Sequence, residues 1–427
     1  MSVLILHRGS FRDSPYRRWM EDYDGDAAVL ASQEQLSVLG ERLPPATGRF
    51  RHAEGIPDYD HGPLVAERAA RLIEQHGLRR VVAIGEVDIG RAAALRERYG
   101  MPGQHSAGAA VYRDKWLMKK AAEAVGVPVA RHALVAGPRD VTDYAGHAGY
   151  PFVVKPRLGA GSIGLAVLRD HEDMLRFLTA RASAGDFRTT AGEAAWLAEH
   201  FVAGSMYHID GIVADGRVIT LWPSHYRYAL SSYAEDHSGR KDVALDPHDR
   251  LTGRLTAFGE RVLAALGGPS GFSFHIEVFR TPRDELILCE AACRPGGAGI
   301  RDMHRAMFGL DPAETMVRAQ LGLPAPRARG DSGHGTGDGR LLPRQVAGQL
   351  LFMKRPGTVR ELPGEVPGQF PWVLRGRLFA GVGDRLGAAG HSGDFLASYV
   401  LAAPDGHTLD LRLGELEAWC TERLGIR

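Results

Sequence analysis

The stretch Pro151-Phe152-Val153-Val154-Lys155-Pro156-Arg157-Leu158-Gly159-Ala160-Gly161-Ser162-Ile163-Gly164 constrains this chain more than any other. A short apolar strand delivers a lysine, and a glycine-rich loop follows at once. Glycines 159, 161 and 164 let backbone N–H groups approach an anion closely, and a lysine at the strand end adds a fixed positive charge. The segment reads as a phosphate cradle, although glycine-rich turns also follow strands with no ligand. It lacks the Gly-Lys-Ser/Thr ending of a P-loop, and its spacing differs from the Gly-x-Gly-x-x-Gly turn of a dinucleotide fold. The choice of lysine is itself informative. Only six of the 52 basic residues are lysines (115, 119, 120, 155, 241 and 354). Where arginine is the default cation, a strand-end lysine suggests a need for a compact point charge.

The length of 427 residues suggests two or three domains. Residues 1–111 alternate strand and helix signals: Val3 to Leu6 and Arg80 to Ile84 as strands, Pro63 to His76 and Ile89 to Tyr99 as helices. This pattern predicts a small Rossmann-like α/β domain with a parallel sheet. Glu86 and Asp88 follow the second strand, where open α/β sheets carry ligand contacts; Asp88 could equally cap the next helix. A helix is predicted over Tyr112 to Val125 and another over about 172–182. Residues 112–323 form the main domain, with 126–200 as a subdomain carrying the glycine loop. Residues 324–340 read as a flexible linker by composition, and 341–427 as a C-terminal α/β lobe.

Phe272-Ser273-Phe274-His275-Ile276-Glu277-Val278-Phe279 alternates strictly, with His275 and Glu277 on the face opposite the phenylalanines. The next strand, Leu286-Ile287-Leu288-Cys289-Glu290, leads into Cys293-Arg294-Pro295-Gly296-Gly297. A hairpin through Pro282 and Asp284 would bring Glu277 and Glu290 together. Two converging carboxylates beside a phosphate cradle suit magnesium that also binds nucleotide oxygens, and Arg294 is close enough to stabilise developing negative charge. Taken singly, each acid could instead be a solvent-facing strand residue paired with Arg294.

On these motifs the chain resembles the ATP-grasp superfamily, and within it the carboxylate–amine ligases that include the L-amino acid (dipeptide) ligases. Arg113-Asp114-Lys115 resembles the first nucleotide lysine of that family. Val153-Val154-Lys155-Pro156 and the loop to Gly164 resemble the second lysine and the mobile phosphate flap. Glu199-His200-Phe201-Val202 resembles the adenine hinge, and Phe274-His275-Ile276-Glu277 with Glu290 to Gly297 resembles the metal strands and catalytic arginine. The resemblance implies an α/β ATP-grasp fold preceded by a pre-ATP-grasp domain. It further implies ATP bound by Lys115, Lys155, Gly159, Gly161, Ser162, Glu199 and Val202, and Mg²⁺ held by Glu277 and Glu290. Catalysis would use Arg294, Lys155 and His275, and the chain would form a homodimer. Two positions depart from the family pattern. Ala292 stands where many relatives place an asparagine ligand, so water or substrate would complete a second magnesium. Met206 stands where a ribose-binding glutamate is common, a role open to Tyr207, His208 or Asp210.

The polar-aromatic run Trp222 to Tyr233 resembles the family's substrate-side loop. Ser224, Tyr226 and Arg227, with Gly297, are the candidate substrate contacts; Arg227 could grip a carboxylate bidentately or lie on a surface loop. A net charge of +1 gives no reason to expect nucleic acid or an anionic membrane as partner. Three cysteines (289, 293 and 420) are too few for a disulfide framework and read as packing residues. Met1 to Leu6 is a strand rather than a signal peptide, so a cytoplasmic enzyme is expected. The function expected is ATP-dependent joining of a carboxylate to an amine through an acyl phosphate. An ATP-grasp carboxylase using bicarbonate, a phosphotransferase and a non-catalytic ATP-binding sensor are the alternatives.

Overall fold

A computed structural model of the chain describes residues 2–184, 187, 194–327, 339–364, 366 and 370–427. The first part is a parallel sheet in the order Phe50–Ile56, Ala27–Ser32, Val3–His7, Arg80–Ala83. Val3 to Leu6 are completely buried because both faces are covered. Leu4 and Leu6 pack toward helix Leu64–His76, and Val3 and Ile5 toward helix Pro312–Leu321 from far along the chain. A continuous apolar run is what a strand in a doubly covered parallel sheet requires. Two strands of this sheet are not evident from sequence. Ala27–Ser32 is alanine-rich but wholly buried, and Phe50–Ile56, with charges and a glycine, is an edge strand buried only at its two ends and held by pairing with Ala27–Ser32. Helix Glu86–Arg98 starts from Gly85, and Asp88 does not cap it. Its carboxylate is instead buried, accepting from Tyr59 Oη and Arg91 Nη1, both at 3.2 Å.

The helix expected over Tyr112 to Val125 is two helices, Ser106–Arg113 and Lys115–Ala124. Asp114 between them is extended (φ −101°, ψ 108°), and its Oδ1 accepts from the N–H groups of Trp116 and Leu117 at 2.9 and 3.4 Å. An N-cap aspartate restarts the helix there, which makes Lys115 the first residue of the second one.

Residues 132–200 carry a smaller antiparallel sheet in the order His132–Val135, Trp196–His200, Phe152–Pro156, Ala166–Leu168. The large sheet of the molecule has eight strands in the order Leu286–Ala292, Phe272–Arg280, Ser205–Ala214, Arg217–Tyr226, Arg240–Ala244, Val346–Met353, Phe395–Ala403, Val373–Leu378. Phe272, Phe274, Ile276 and Val278 bury one face against helix Arg250–Leu266, and the alternation places His275 and Glu277 on the other. The last three strands of this sheet come from residues 341–427, which thus continue the central sheet through Arg240–Ala244. Of the segment 324–340, residues 328–338 lie outside the described residues.

Candidate active site

Three of the six lysines are buried together where the smaller sheet meets helix Lys115–Ala124. Lys115, Lys119 and Lys155 are 7, 0 and 5% exposed. Glu199, on the strand beside Lys155, lies between two of them: Oε2 is 2.9 Å from Lys155 Nζ and Oε1 is 3.3 Å from Lys119 Nζ. Lys119 also donates to the carbonyls of Cys289 at 3.1 Å and Leu288 at 3.4 Å, at the β-bulge beside Glu277. Burial lowers the pKa of Lys119, only partly offset by Glu199. For Lys155 burial acts the same way, but Glu199 and Glu290 together overcome it and raise the pKa. Glu199 Oε1 is thus held by its ion pair with Lys119 and has no further partner among the described residues. Val202 follows two residues after this strand, at the start of the connection to Ser205–Ala214.

The glycine loop meets this cluster at Gly159. Gly161, Ser162 and Gly164 have φ of 63°, 60° and 75°, a left-handed path that costs glycine nothing and Ser162 some strain. Lys115 donates its Nζ to the carbonyl of Gly159. Gly161 O accepts from the N–H of Ser392 at 3.2 Å, so residues near the C-terminus touch the flap.

Glu277 and Glu290 are directly opposed across the hairpin. Like charges opposed on one face destabilise a sheet unless a cation lies between them. Lys115 Nζ is 3.3 Å from Glu290 Oε2. Burial alone would raise the Glu290 carboxyl, but Lys115 and Lys155, with Arg294, bring it down to about 2. Two opposed carboxylates offer the hard oxygen donors that suit Mg²⁺, so the donor set fits that ion.

Behind Glu277 runs a buried chain of polar side chains that the sequence does not announce. His275 Nδ1 meets Asp210 Oδ1 at 2.9 Å and its Nε2 is 3.5 Å from Glu277 Oε1. His208 joins Asp210 Oδ2 to Asp242 Oδ1, the latter at 2.7 Å, and Gln349 Nε2 donates to Asp242 Oδ2 at 2.7 Å. Burial disfavours both imidazolium ions, yet Asp242 and Asp210 raise His208 to about 10, and Asp210 with Glu277 raises His275 to about 9. Both rings are therefore cations at neutral pH. His275 acts as a donor that orients Glu277, and His208 and Asp210, committed to this chain, are not placed as ribose contacts.

Arg294 sits 20% exposed at the end of the hairpin. Its Nε donates to Glu86 and its Nη1 donates to Pro295 O at 2.8 Å. Glu86 pairs with Arg113 as well. Glu86 and Asp88 thus have different fates, one at the cleft and one in the N-terminal core. Ser224 is in register with His208, which is in register with Glu277, so all three share one row of the sheet. The Tyr226 ring lies 4.5 Å from that of His208, tilted by 34°, and its phenol is pushed well above its usual pKa, mainly by burial. Gly296 approaches Asp210 so closely that a Cβ there would lie 2.7 Å from Oδ1, whereas Gly297 has open space around it. Arg227 is placed apart from this group, with Nη1 2.8 Å from Asp410 on a partly exposed surface. Its fork is thereby used in the surface-loop arrangement. Lys119 has no place in the sequence-based site, and Glu86 and Asp210 enter it only as a candidate ligand contact and a candidate ribose contact, not in the pairings seen here. The scarcity of lysine is the one signal that could have picked out Lys119.

No family model matches the chain. It is 25% identical over 241 residues to the L-arginine-specific L-amino acid ligase of Bacillus subtilis, covering 56% of this chain and 57% of that protein. It is 27% identical over 275 residues to the D-alanine–D-alanine ligase of Halorhodospira halophila, covering 63% of this chain and 79% of the relative. The chain thus spans less than two thirds of the first of these relatives. The crystal structure of an L-amino acid ligase from Bacillus licheniformis superposes with a TM-score of 0.75 over 100% of this chain and 98% of that one, at 15% identity. The chain has an ATP-grasp fold and is similar in sequence to ligases that join amino acids.

Proposed function

We propose that this chain is an ATP-dependent ligase that joins the carboxylate of one amino acid to the amine of a second through an acyl phosphate, releasing ADP and phosphate. The observation that carries this reading is the gathering of Lys115, Lys155 and Arg294 around Glu290, with Glu277 opposed to it. Fixed cations and a carboxylate pair in one cleft suit phosphoryl transfer, which depends mostly on positioning and charge stabilisation. The named ligases among its relatives support the carbon–nitrogen bond as the product.

Lys115 and Lys155 neutralise the phosphates of ATP, while Glu199 and the Val202 backbone hold the adenine edge. The flap residues Gly159, Gly161 and Ser162 cover the phosphates and exclude water. Glu277 and Glu290 would hold Mg²⁺, which supplies further charge neutralisation at the phosphate oxygens when bound. A carboxylate oxygen of the first substrate attacks the γ-phosphorus as the bond to ADP breaks. The amine nitrogen of the second substrate then attacks the acyl carbon, and phosphate leaves with the C–O electron pair. Arg294 stabilises the negative charge that develops in both steps. Lys155 serves in both ATP binding and transfer, and His275 is a positioning residue behind Glu277. Ser224, Tyr226 and Gly297 face the substrates.

The product is a dipeptide or a γ-glutamyl amide. We take the compartment to be the cytoplasm, where ATP and free amino acids are supplied, and the assembly to be a homodimer, which light scattering tests. The functional test is ADP release from ATP and Mg²⁺ over pairs of amino acids, with mass spectrometry of the products. ADP that requires both an acid and an amine, with an equimolar amide, is the expected result. ADP release that requires bicarbonate, with its carbon in the product, would overturn the reading.

A further inference from the structure

A cavity of about 240 Å³ lies between the N-terminal sheet and the central domain. Arg80, Arg96, Gln104, Phe272, Met316 and Gln320 are among its lining residues, and no aspartate or glutamate lines it. Arg96 is 4% exposed. Its guanidinium donates to Val81 O at 2.8 Å, Gln320 Oε1 at 2.9 Å and Gln104 O at 3.3 Å, all uncharged acceptors. Arg80 donates to Gln320 O at 3.2 Å. Among the described residues neither the buried Arg96 nor the half-buried Arg80 is ion-paired, although most of the other buried lysines and arginines are. Buried charges are paired as a rule, because an isolated one loses its hydration with no return. Three acceptors leave part of the five-donor fork of Arg96 unused. Burial lowers Arg96 to about 10, so it stays cationic at neutral pH.

Apart from the two arginines, Gln104, Gln320 and Ser270, the wall is apolar or backbone. Phe272 and Met316 are 4% exposed, and Ile89 lies beside them. Pro102, Gly103 and Ser270 are exposed and form the mouth. The volume falls below the roughly 300 Å³ at which sites for drug-sized ligands begin. We propose that this cavity is a second ligand site, for a small organic carboxylate whose charge meets Arg96 and Arg80 and whose apolar body rests on Phe272 and Met316. Gln104 connects the cavity to the catalytic loop, since its Oε1 accepts from the Cys293 thiol at 3.3 Å, one residue before Arg294. The proposal is independent of the ligase reading, because it is tested by binding without ATP.

The test is calorimetric titration of the full chain, free of nucleotide, with isovalerate, with isoamyl alcohol as its uncharged analogue, and with inorganic phosphate. Isovalerate is expected to saturate below about 10 mM, with the alcohol at least about tenfold weaker, the range of a charge-assisted hydrogen bond. Ser270→Trp fills the exposed mouth without touching the core, and it should weaken isovalerate at least about tenfold with an unchanged melting curve. Arg80→Met and Arg96→Met should do the same; should Arg96→Met fail to fold, the other two variants decide. Lack of saturation by isovalerate, or saturation by phosphate alone, would overturn the proposal. So would isovalerate binding that survives in Ser270→Trp but is lost in Arg294→Met, which would locate the carboxylate in the catalytic cleft.

Discussion

Glu199→Gln should destabilise the nucleotide-free chain far more than an ordinary substitution, and by an amount that depends on pH in a known direction. The change is nearly isosteric, but it removes the one carboxylate between Lys119 and Lys155, at 3.3 and 2.9 Å. Lys119 is fully buried and Lys155 nearly so. Breaking a buried ion pair from one side costs about 3–5 kcal/mol, most of it from the charge left behind. Lys119 is the weaker partner: burial already lowers its pKa, and Lys155 repels it. Without Glu199 its folded pKa falls further below the unfolded value, so the unfolded state binds more protons across a wider window and stability rises with pH there. The loss should therefore be largest near pH 6 and shrink toward pH 9. Urea unfolding of both proteins at several pH values measures this. The double variant Lys119→Met with Glu199→Gln should recover part of the loss, because no stranded ammonium remains at that position. A loss below about 1 kcal/mol, or a loss that grows toward alkaline pH, would refute the reasoning.

Three further outcomes are expected. Glu290→Gln should reduce amine-dependent ADP release at least about a hundredfold while thermal melting shows a folded chain; full activity would remove Glu290 from the site. Asp88→Asn should stabilise the protein at neutral pH. Burial raises the Asp88 carboxyl to about 6, so the folded state binds the extra proton and its contribution is lost as pH rises from about 4 to about 6. The amide removes that loss, worth roughly 2–3 kcal/mol above pH 6 for about two pH units, and denaturation at pH 5 and pH 8 would show the difference. Gly296→Ala should destabilise by about 1–3 kcal/mol, since its Cβ would lie 2.6 Å from Ile300 Cγ2 and 2.7 Å from Asp210 Oδ1; an unchanged melting temperature would contradict the close approach.

Much of the cleft is legible in the sequence because its key residues sit on short, strongly patterned segments. The alternation over Phe272 to Phe279 fixes which face Glu277 shares, and the hairpin then sets it opposite Glu290. The loop after Lys155 is legible for the same reason, since glycine spacing is a local signal. What stays hidden is long-range. Glu86 meets Arg294 only because the N-terminal sheet docks on the central domain. The chain from Gln349 through Asp242, His208 and Asp210 to His275 needs five strands to be in register. The break at Asp114 is a different case. Its N-cap residue type is visible, but apolar periodicity continues through it, and the cap outweighs the periodicity only once Arg157 is found to pair with the same carboxylate. Strand Ala27–Ser32 is made by burial between neighbours, and the edge strand Phe50–Ile56 by pairing with it, neither of which single-strand patterning reveals.

The central claim is that a substrate carboxylate, not water, accepts the γ-phosphoryl group. Amino acids bearing heavy oxygen in their carboxylates, incubated with the chain, ATP, Mg²⁺ and an amine substrate found in the ADP screen, test it directly by mass spectrometry of the released phosphate. One heavy oxygen in each phosphate released, in step with amide formed, is the expected result. Phosphate that carries no label while ADP accumulates would contradict it.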